Sequence, residues 1–502
     1  MADLIGLIDV KGFRATAQAQ AQPLQRALYE VIRQAIAEGR LAAGAVLPAS
    51  RELAHELGMG RNGVIHAYEQ LAAEGYVQAS RLGTVVAALP AAPSRLGASR
   101  SLRKPVIAPE PACVLSARVQ ACDRRRSPEQ DLLPFMPGVP ALDAFPNKLW
   151  CKLQDRAARH APSQDLGYRH AVGEPELRQA IATYLRASRG VQCDAAHVTV
   201  TQGTQHSLEL CAHILADEGD TVWIEHPGYG GARTAFVQAG LALQPVTVDA
   251  EGIAPPDHWW QDKRPRFVYT TPSHQYPLGS VLSLPRRLHL IEQARRAGSW
   301  LLEDDYDSEF RHDGPPLAAM QGQVPDAPVV YLGTFSKSMF PALRMGFIVW
   351  PAALADRVAG VVGELVRGGR PVTQRALAEF INEGHYTRHL RRMRRLYALR
   401  QACLRDALAR HWPYPGQIVG GQAGLHLVMS LPGGQGGLSD RHLAQQALAS
   451  GLSPRPLSAY GSGGVAGFNG LVMGYANTHE DVIASAVKRL ARVADALPAC
   501  VP

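Results

Sequence analysis

The stretch VVYLGTFSKSMFPALRMGFIVW, residues 329–350, reads as strand, loop, strand. VVYLGTFSK and GFIVW are short apolar runs of strand character, and the loop between them carries one lysine, Lys337, after Ser336, with Arg344 seven residues on. Moving outward, HVTVTQG (197–203), TVWIEH (221–226), RFVYTTP (266–272) and SWLLEDDYD (299–307) are runs of the same kind, separated by helical stretches. Such alternation predicts an α/β fold with a mostly parallel sheet and helices on both faces. Ligands in these folds collect at the carboxyl ends of the strands. Polar residues fall at those ends: Gly203 and Thr204, Tyr229, His274 and Gln275, Asp304 and Tyr306, Ser336 and Lys337.

The chain has 502 residues, room for about three domains at roughly 150 residues each. Its net charge is +8, which favours an anionic partner. Residues 81–130 hold nine Lys/Arg and three Asp/Glu, so most of the excess sits in one segment. That segment either tracks phosphates or is a solvated linker. Seven cysteines, none in CxxC, argue against a disulfide framework and a zinc site and fit a reducing cytoplasm. No run approaches the ~20 apolar residues of a membrane helix, and the N-terminus lacks a signal-peptide pattern.

Residues 20–89 form a separate small module. Leu24, Leu28, Ile32 and Ile36 make a helical stripe. A second helix follows Pro48, with Ser50 as its N-cap, Leu53, Ala54 and Leu57 on one face, and Gly58 as its stop. A third carries Val64, Ala67, Tyr68 and Leu71 and ends at Gly75. YVQASRLGTVVA (76–87) then gives two short strands around a glycine-containing turn. This is the order of a winged helix-turn-helix, whose third helix enters the major groove. Arg61 heads that helix, Arg51 opens the second, and Arg81 sits in the wing turn.

LPASRELAHELGMGRNGVIHAYEQLAAEGY (47–76) resembles the N-terminal motif of the GntR family, LPxSRxLAxxLGxxRNTVxxAYxxLxxEGY. The resemblance implies double-stranded operator DNA as a partner, contacted by Ser50, Arg51, Arg61, Asn62, Arg81 and Thr84. Gly63 stands where that family usually has threonine, and Gly60 where serine is common. Residues 90–130, rich in Pro, Ala, Ser and Arg, read as a linker to a domain spanning 131–495.

The strand-end residues of that domain suit pyridoxal phosphate (PLP). A Schiff-base lysine needs a lowered pKa, and the pyridine nitrogen needs a carboxylate. The phosphate needs amides, hydroxyls and an arginine, and the ring needs an aromatic face. Lys337, Asp304, Tyr306 and Tyr229 answer those needs, with Ser336 and Arg344 beside the lysine. TQGTQHS (201–207) adds a helix start at Gly203, Thr204 and Gln205.

TPSHQYPLGSVLSLPRR, LLEDDYDSEFR and LGTFSKSMFPALRMGF, with YRHAVGEPELRQAIATYLRASRGV and TQGTQHSLEL, resemble the MocR/GabR subfamily of GntR regulators. The resemblance implies a fold-type I, aminotransferase-like domain with a smaller C-terminal α+β subdomain. It also implies Lys337 as the Schiff-base lysine, Asp304 at the pyridine nitrogen, Tyr306 at the 3-oxygen, Tyr229 over the ring, and Ser336 and Arg344 at the phosphate. His274 or Gln275 approaches the cofactor. Tyr168 reaches a neighbouring subunit's cofactor, which implies a homodimer.

One feature departs from plain aminotransferases, and another resembles a helix found across the regulator subfamily. In GLVMGYAN (470–477), Val472 replaces the arginine that grips a substrate carboxylate. Arg455, in LSPRPLS, is either a substitute or a surface residue. HYTRHLRRMRRLYALR (385–400) is a basic amphipathic helix with Leu390, Met393 and Tyr397 along one side. Its six arginines either meet DNA or form a solvated face with Glu379 and Glu383 as partners. The resulting expectation is a transcriptional regulator sensing an amine, an amino acid or PLP; the alternative is a working aminotransferase with a DNA-binding head.

Overall fold

A computed structural model describes residues 13, 22–88, 116–120, 128–312, 314, 317–432, 437–461 and 468–497. Most of the expected linker lies outside the described residues. The chain divides into two compact units, Met1–Ala112 and Cys113–Pro502.

The first unit contains helices α1 (Leu24–Ala37), α2 (Ser50–Leu57) and α3 (Arg61–Ala73), then strands β1 (Val77–Ser80) and β2 (Gly83–Val86). The predicted stripes are its core: Leu28, Ile32, Leu53, Val64, Ala67 and Leu71 are buried. The N-cap of α2 differs from expectation by one residue. Ala49 has the extended backbone and its carbonyl takes the amide of Leu53, whereas Ser50 is already helical. A cap must be the non-helical residue whose carbonyl accepts the first helical bond, so Ser50 cannot fill that place. Its hydroxyl instead lies 3.5 Å from Arg61 Nε. Gly58 closes α2 in the left-handed region, φ 59°, which glycine adopts without a Cβ clash. β1 and β2 pair antiparallel from Val77–Val86 to Ser80–Gly83, leaving Arg81 and Leu82 at the exposed tip.

The second unit is built on an eight-stranded sheet in the order β3-β10-β9-β8-β7-β4-β5-β6. The strands are β3 (Val198–Thr201), β4 (Thr221–His226), β5 (Ala242–Asp249), β6 (Gly252–Ile253), β7 (Phe267–Thr270), β8 (Trp300–Asp305), β9 (Val329–Thr334) and β10 (Gly346–Val349). β5, β4, β7, β8 and β9 run parallel, and β10 is antiparallel to both β9 and β3. Strands β4, β7, β8, β9 and β10 are buried on both faces, as a sheet covered by helices requires. Because β3, β4, β7, β8 and β9 point the same way, their carboxyl ends share one edge.

A second sheet, β11 (Ile418–Val419), β12 (His426–Ser430), β14 (Gly470–Gly474) and β13 (Arg455–Pro456), is antiparallel throughout, in the order β11-β12-β14-β13. It forms the smaller subdomain with helices Asp440–Ala449 and Glu480–Asp495. Among the described residues no helix is long and apolar enough to cross a membrane.

Candidate cofactor pocket and DNA-facing surface

The end of β8 places three consecutive acids, all buried, in three different roles. Side chains alternate across a strand, so neighbours in sequence face opposite sides. Glu303 accepts the backbone amides of Met320 and Gln321, at 2.9 and 3.0 Å. Asp305 pairs with Arg189 at 2.7 Å and accepts the Tyr331 hydroxyl at 2.5 Å. Asp304, between them, accepts the Tyr269 hydroxyl on Oδ2 at 2.7 Å, while its buried Oδ1 has no hydrogen-bond partner. Burial pushes its carboxyl up to about 7.

Lys337 follows β9. Its Nζ donates to the Gly138 carbonyl at 2.7 Å. Desolvation pushes the amine below the ordinary lysine range, against the pull of the Asp307 and Asp304 carboxylates. A Cβ at Gly138 would stand 3.0 Å from Nζ, and the residue has φ +78°, so glycine serves both the turn and the lysine.

Tyr306 directs its hydroxyl to the carbonyl and Nδ1 of His274, each at 3.0 Å, and burial raises its phenol. His274 Nδ1 also meets Asp307 at 3.0 Å. His274 Nε2 is buried without a partner. Gln275 is arranged differently. Its amide donates to Glu225 and to the carbonyls of Pro227 and Tyr276, and its oxygen accepts the Leu278 amide. Gln275 therefore knits the loops after β4 and β7 together, and of the two candidates only His274 contacts Tyr306.

Helix α4 (Thr204–Leu215) begins directly after β3, with Gly203 at φ 98° as its N-cap. Ser336 Oγ lies 4.0 Å from where a Gly203 Cβ would stand, so the hydroxyl and the helix start are neighbours. The Gln205 amide is turned toward Glu209, at 3.2 Å. Arg344 is an exposed left-handed residue, φ 50°, whose charge helps burial to hold His206 of α4 below the usual histidine range. Tyr229 caps α5 (Gly230–Gln238), with its ring folded over Gly231, where a Cβ would lie 2.4 Å from the ring. Tyr168 stands apart from this group: it is 82% exposed and stacks only with Arg367 among the described residues.

Sequence reasoning did not single out Tyr269, Tyr276, Asp307 or His426. Tyr276 meets Tyr229, Tyr306, Tyr460 and His426 edge-on, with centroids 5.1–5.9 Å apart. His426 is buried and neutral, pushed down to about 3 by burial and by His274. The available signal was weak: Tyr269 lies in an apolar run, and His426 begins a strand far along the chain.

Val472 is fully buried, packed with Val428 and Leu457. On α6 (His385–His411), Leu390, Met393 and Tyr397 are buried as expected. The Glu379 and Glu383 carboxylates both pair with Arg156, at 2.6 and 2.5 Å, while the Glu383 backbone carbonyl also accepts from the Arg388 side chain, at 3.1 Å. Arg388, Arg391, Arg392 and Arg395 are exposed, whereas Arg400 is buried between Glu480 and Asp143.

In the first unit, Arg51, Arg61, Asn62 and Arg81 are exposed and Ser50 and Thr84 half-exposed. An ideal Cβ at Gly63 would meet only the flexible end of Met59, at 2.9 Å, and Gln25 Cβ, at 3.6 Å.

Residues 141–490 match the family described as aminotransferase class I and II, and residues 24–86 match bacterial regulatory proteins of the gntR family. The chain is 41% identical over 437 residues to the probable rhizopine catabolism regulatory protein MocR of Rhizobium meliloti, covering 87% of each. It is 33% identical to the pyridoxine biosynthesis transcriptional regulator PdxR of Corynebacterium glutamicum, covering 91% of this chain and 92% of that one. Among solved structures, the alpha-aminoadipate aminotransferase LysN of Thermus thermophilus, complexed with N-(5'-phosphopyridoxyl)-L-leucine, aligns at TM-score 0.65 and 29% identity. That alignment covers 72% of this chain and 92% of LysN.

Proposed function

The chain belongs to the MocR type of GntR transcriptional regulators, with a winged helix-turn-helix and an aminotransferase-like domain, and from that premise we propose that it is a PLP-dependent sensor. Lys337 holds the cofactor, and a primary amine, an amino acid or PLP itself changes the affinity of the head for operator DNA.

The observation that carries the cofactor assignment is Asp304 Oδ1. A buried carboxylate oxygen without a partner is costly, and a protonated pyridine nitrogen is the donor that removes the cost. The desolvated amine of Lys337, the Tyr306 hydroxyl and the helix start at Gly203 and Thr204 beside Ser336 fit the carbonyl, ring oxygen and phosphate of the same group. Arg344 and Gln205 complete the phosphate side, Tyr229 faces the ring, and His274 holds Tyr306. When bound, PLP supplies an aldehyde that condenses with amines. Lys337 contributes an amine whose desolvation favours its neutral form, and Asp304 keeps a negative charge at the ring nitrogen.

Ser50, Arg51, Arg61, Asn62, Arg81 and Thr84 form the operator-facing surface, with α3 in the major groove. Two copies act together, with exposed Tyr168 and neighbouring Leu166, 92% exposed, entering the partner. The place of action is the cytoplasm, where the operator is. Ligand control requires different affinities for two states of the domain. The buried apolar Val472 argues against ordinary turnover of α-amino acids with an oxo acid. The test is retardation of the protein's own upstream DNA at fixed salt, without cofactor, with PLP, then with PLP and a panel of amines. DNA affinity that stays the same under all three conditions rejects the sensor; rapid multiple turnover restores the enzyme reading.

A further inference from the structure

His274 and His426 meet from different parts of the second unit. His274 lies on the loop after β7, and His426 opens β12 in the smaller subdomain. Both are buried, at 3% and 1% exposure, and their ring centroids are 5.1 Å apart. One nitrogen of each ring and a carboxylate oxygen of Asp307 lie within 4.8 Å of one another.

The partners of the two neutral rings fix their tautomers. His426 Nε2 is 2.9 Å from the Pro277 carbonyl, which can only accept, so Nε2 carries the proton and Nδ1 the lone pair. His274 Nδ1 is 3.0 Å from the Asp307 carboxylate, likewise an acceptor, so Nδ1 carries the proton and Nε2 the lone pair. The Tyr306 hydroxyl also reaches that Nδ1, and has the His274 carbonyl to take its own proton. The two lone-pair nitrogens, His274 Nε2 and His426 Nδ1, are both buried without a hydrogen-bond partner. A Cβ at Gly279 would stand 3.1 Å from His274 Nε2, and glycine leaves that place empty of side chain.

Three features make this a place for a cation. Ligand histidines typically give their other N–H to a carboxylate or a backbone carbonyl, and these two do one each. Two imidazoles on a tetrahedral ion, at metal–nitrogen distances of about 2.0–2.1 Å, have ring centroids roughly 5 Å apart, which is the spacing found. Asp307 is buried, and among the described residues its one ion pair is with His274, so beside a neutral ring it has no counter-charge in contact. A bridging water would satisfy the nitrogens but not that charge.

We propose that His274 Nε2 and His426 Nδ1 bind one divalent transition-metal ion of the zinc, nickel or copper class, with Asp307 orienting His274. Imidazole nitrogens suit such ions, whereas magnesium and calcium take oxygen ligands. The ion ties the loop after β7 to β12, and so the large sheet to the smaller subdomain. The site contains no cysteine, so the cysteine spacing has no bearing on it. The inference does not depend on the cofactor reading above.

The test uses the full chain, freed of metal with a chelator and of excess PLP. Zn2+ titrated by calorimetry should bind at one ion per chain. Cu2+ loaded in its place should show coupling to two imidazole nitrogens by electron paramagnetic resonance. Asp307→Asn keeps both ligands and should weaken Zn2+ binding about 10–100-fold, the usual result of losing the group that orients a ligand histidine. His426→Asn should weaken it further and leave copper coupled to one imidazole. Circular dichroism checks that both variants are folded; should His426→Asn not fold, Asp307→Asn and the copper spectrum of the native chain decide. Native Zn2+ affinity equal to that of either variant, or two-imidazole coupling that survives His426→Asn, means that other histidines hold the ion and overturns the inference. Absence of binding, or copper without two imidazoles in the native chain, overturns it as well.

Discussion

The proposed DNA-facing surface of the head and the proposed cofactor pocket of the larger unit solve opposite problems. In the head, Arg51, Arg61, Asn62 and Arg81 stand exposed on a small core that needs none of them. In the pocket, Asp304, Asp305, Asp307, Glu225 and Glu303 are all buried, and their oxygens are hydrogen-bonded except Asp304 Oδ1 and Asp305 Oδ1. A surface for phosphates can remain solvated until DNA arrives, because its affinity comes largely from counterion release. A pocket for a planar heteroaromatic cofactor must be pre-organised, because a buried polar group is expensive wherever it lacks a partner. The few uncommitted groups there, Asp304 Oδ1 and His274 Nε2 among them, are accordingly the informative ones.

If the two regions are chemically independent, changes in one should leave the other's readout intact. The largest effect is expected from Lys337→Ala, which should abolish the visible absorbance of lysine-held PLP while leaving the head's fold unchanged by circular dichroism. An unchanged band would remove Lys337 from the assignment. Next is Asp304→Asn, which keeps the shape and removes the charge. PLP affinity should fall by about 100-fold, roughly 3 kcal/mol, for loss of one partner of a buried charge pair. Affinity within twofold of the native chain would place the pyridine nitrogen elsewhere.

The same residue gives a pH signature in the cofactor-free protein. Its folded pKa, about 7, lies above the ordinary aspartate value. Between about pH 4 and 7 the folded state therefore holds a proton that the unfolded state has released. This group's contribution to stability is complete below about pH 4 and declines as pH rises to 7. Asp304→Asn should flatten that part of the stability profile; a slope identical to the native one would refute the raised carboxyl.

In the head, Arg51→Ala with Arg61→Ala should weaken operator retardation and lower the salt slope by about 2, roughly 0.9 for each phosphate left without its arginine. The PLP spectrum should not change, and a shifted spectrum would break the independence of the two regions. The smallest effect is expected from Gly63→Ala. The helix gains about 0.5–1 kcal/mol of propensity, because the atom it meets most closely is the movable end of Met59. A lower melting temperature for the head would mean that Met59 cannot yield.

Legibility followed the range of the interactions involved. The helical stripes of α1 and α3 and the alternation of the large domain were readable because periodicity is local. Ser50 was placed one position off its role, since a cap is defined by backbone angles that the residue type only favours. Nothing in the spacing of EDDYD says that its acids are buried, yet all are, because Arg189, Tyr331, Tyr269 and two backbone amides arrive from distant parts of the chain. His274 and Gln275 were inseparable until Glu225 and Pro227 were seen to take the glutamine amide.

By itself the sequence determined the two-part plan, the order of elements, and a motif set specific enough to carry Lys337, Asp304 and Tyr306 together. Those are properties of spacing, and spacing survives without coordinates. Only the tertiary structure decided which oxygen of Asp304 lacks a partner, which of two adjacent residues braces Tyr306, and that Arg455 faces Val472 across a strand pair. Each depends on groups tens to hundreds of residues away being brought within hydrogen-bonding or strand-pairing distance, and whether a polar group is satisfied depends on that surrounding shell rather than on its own identity.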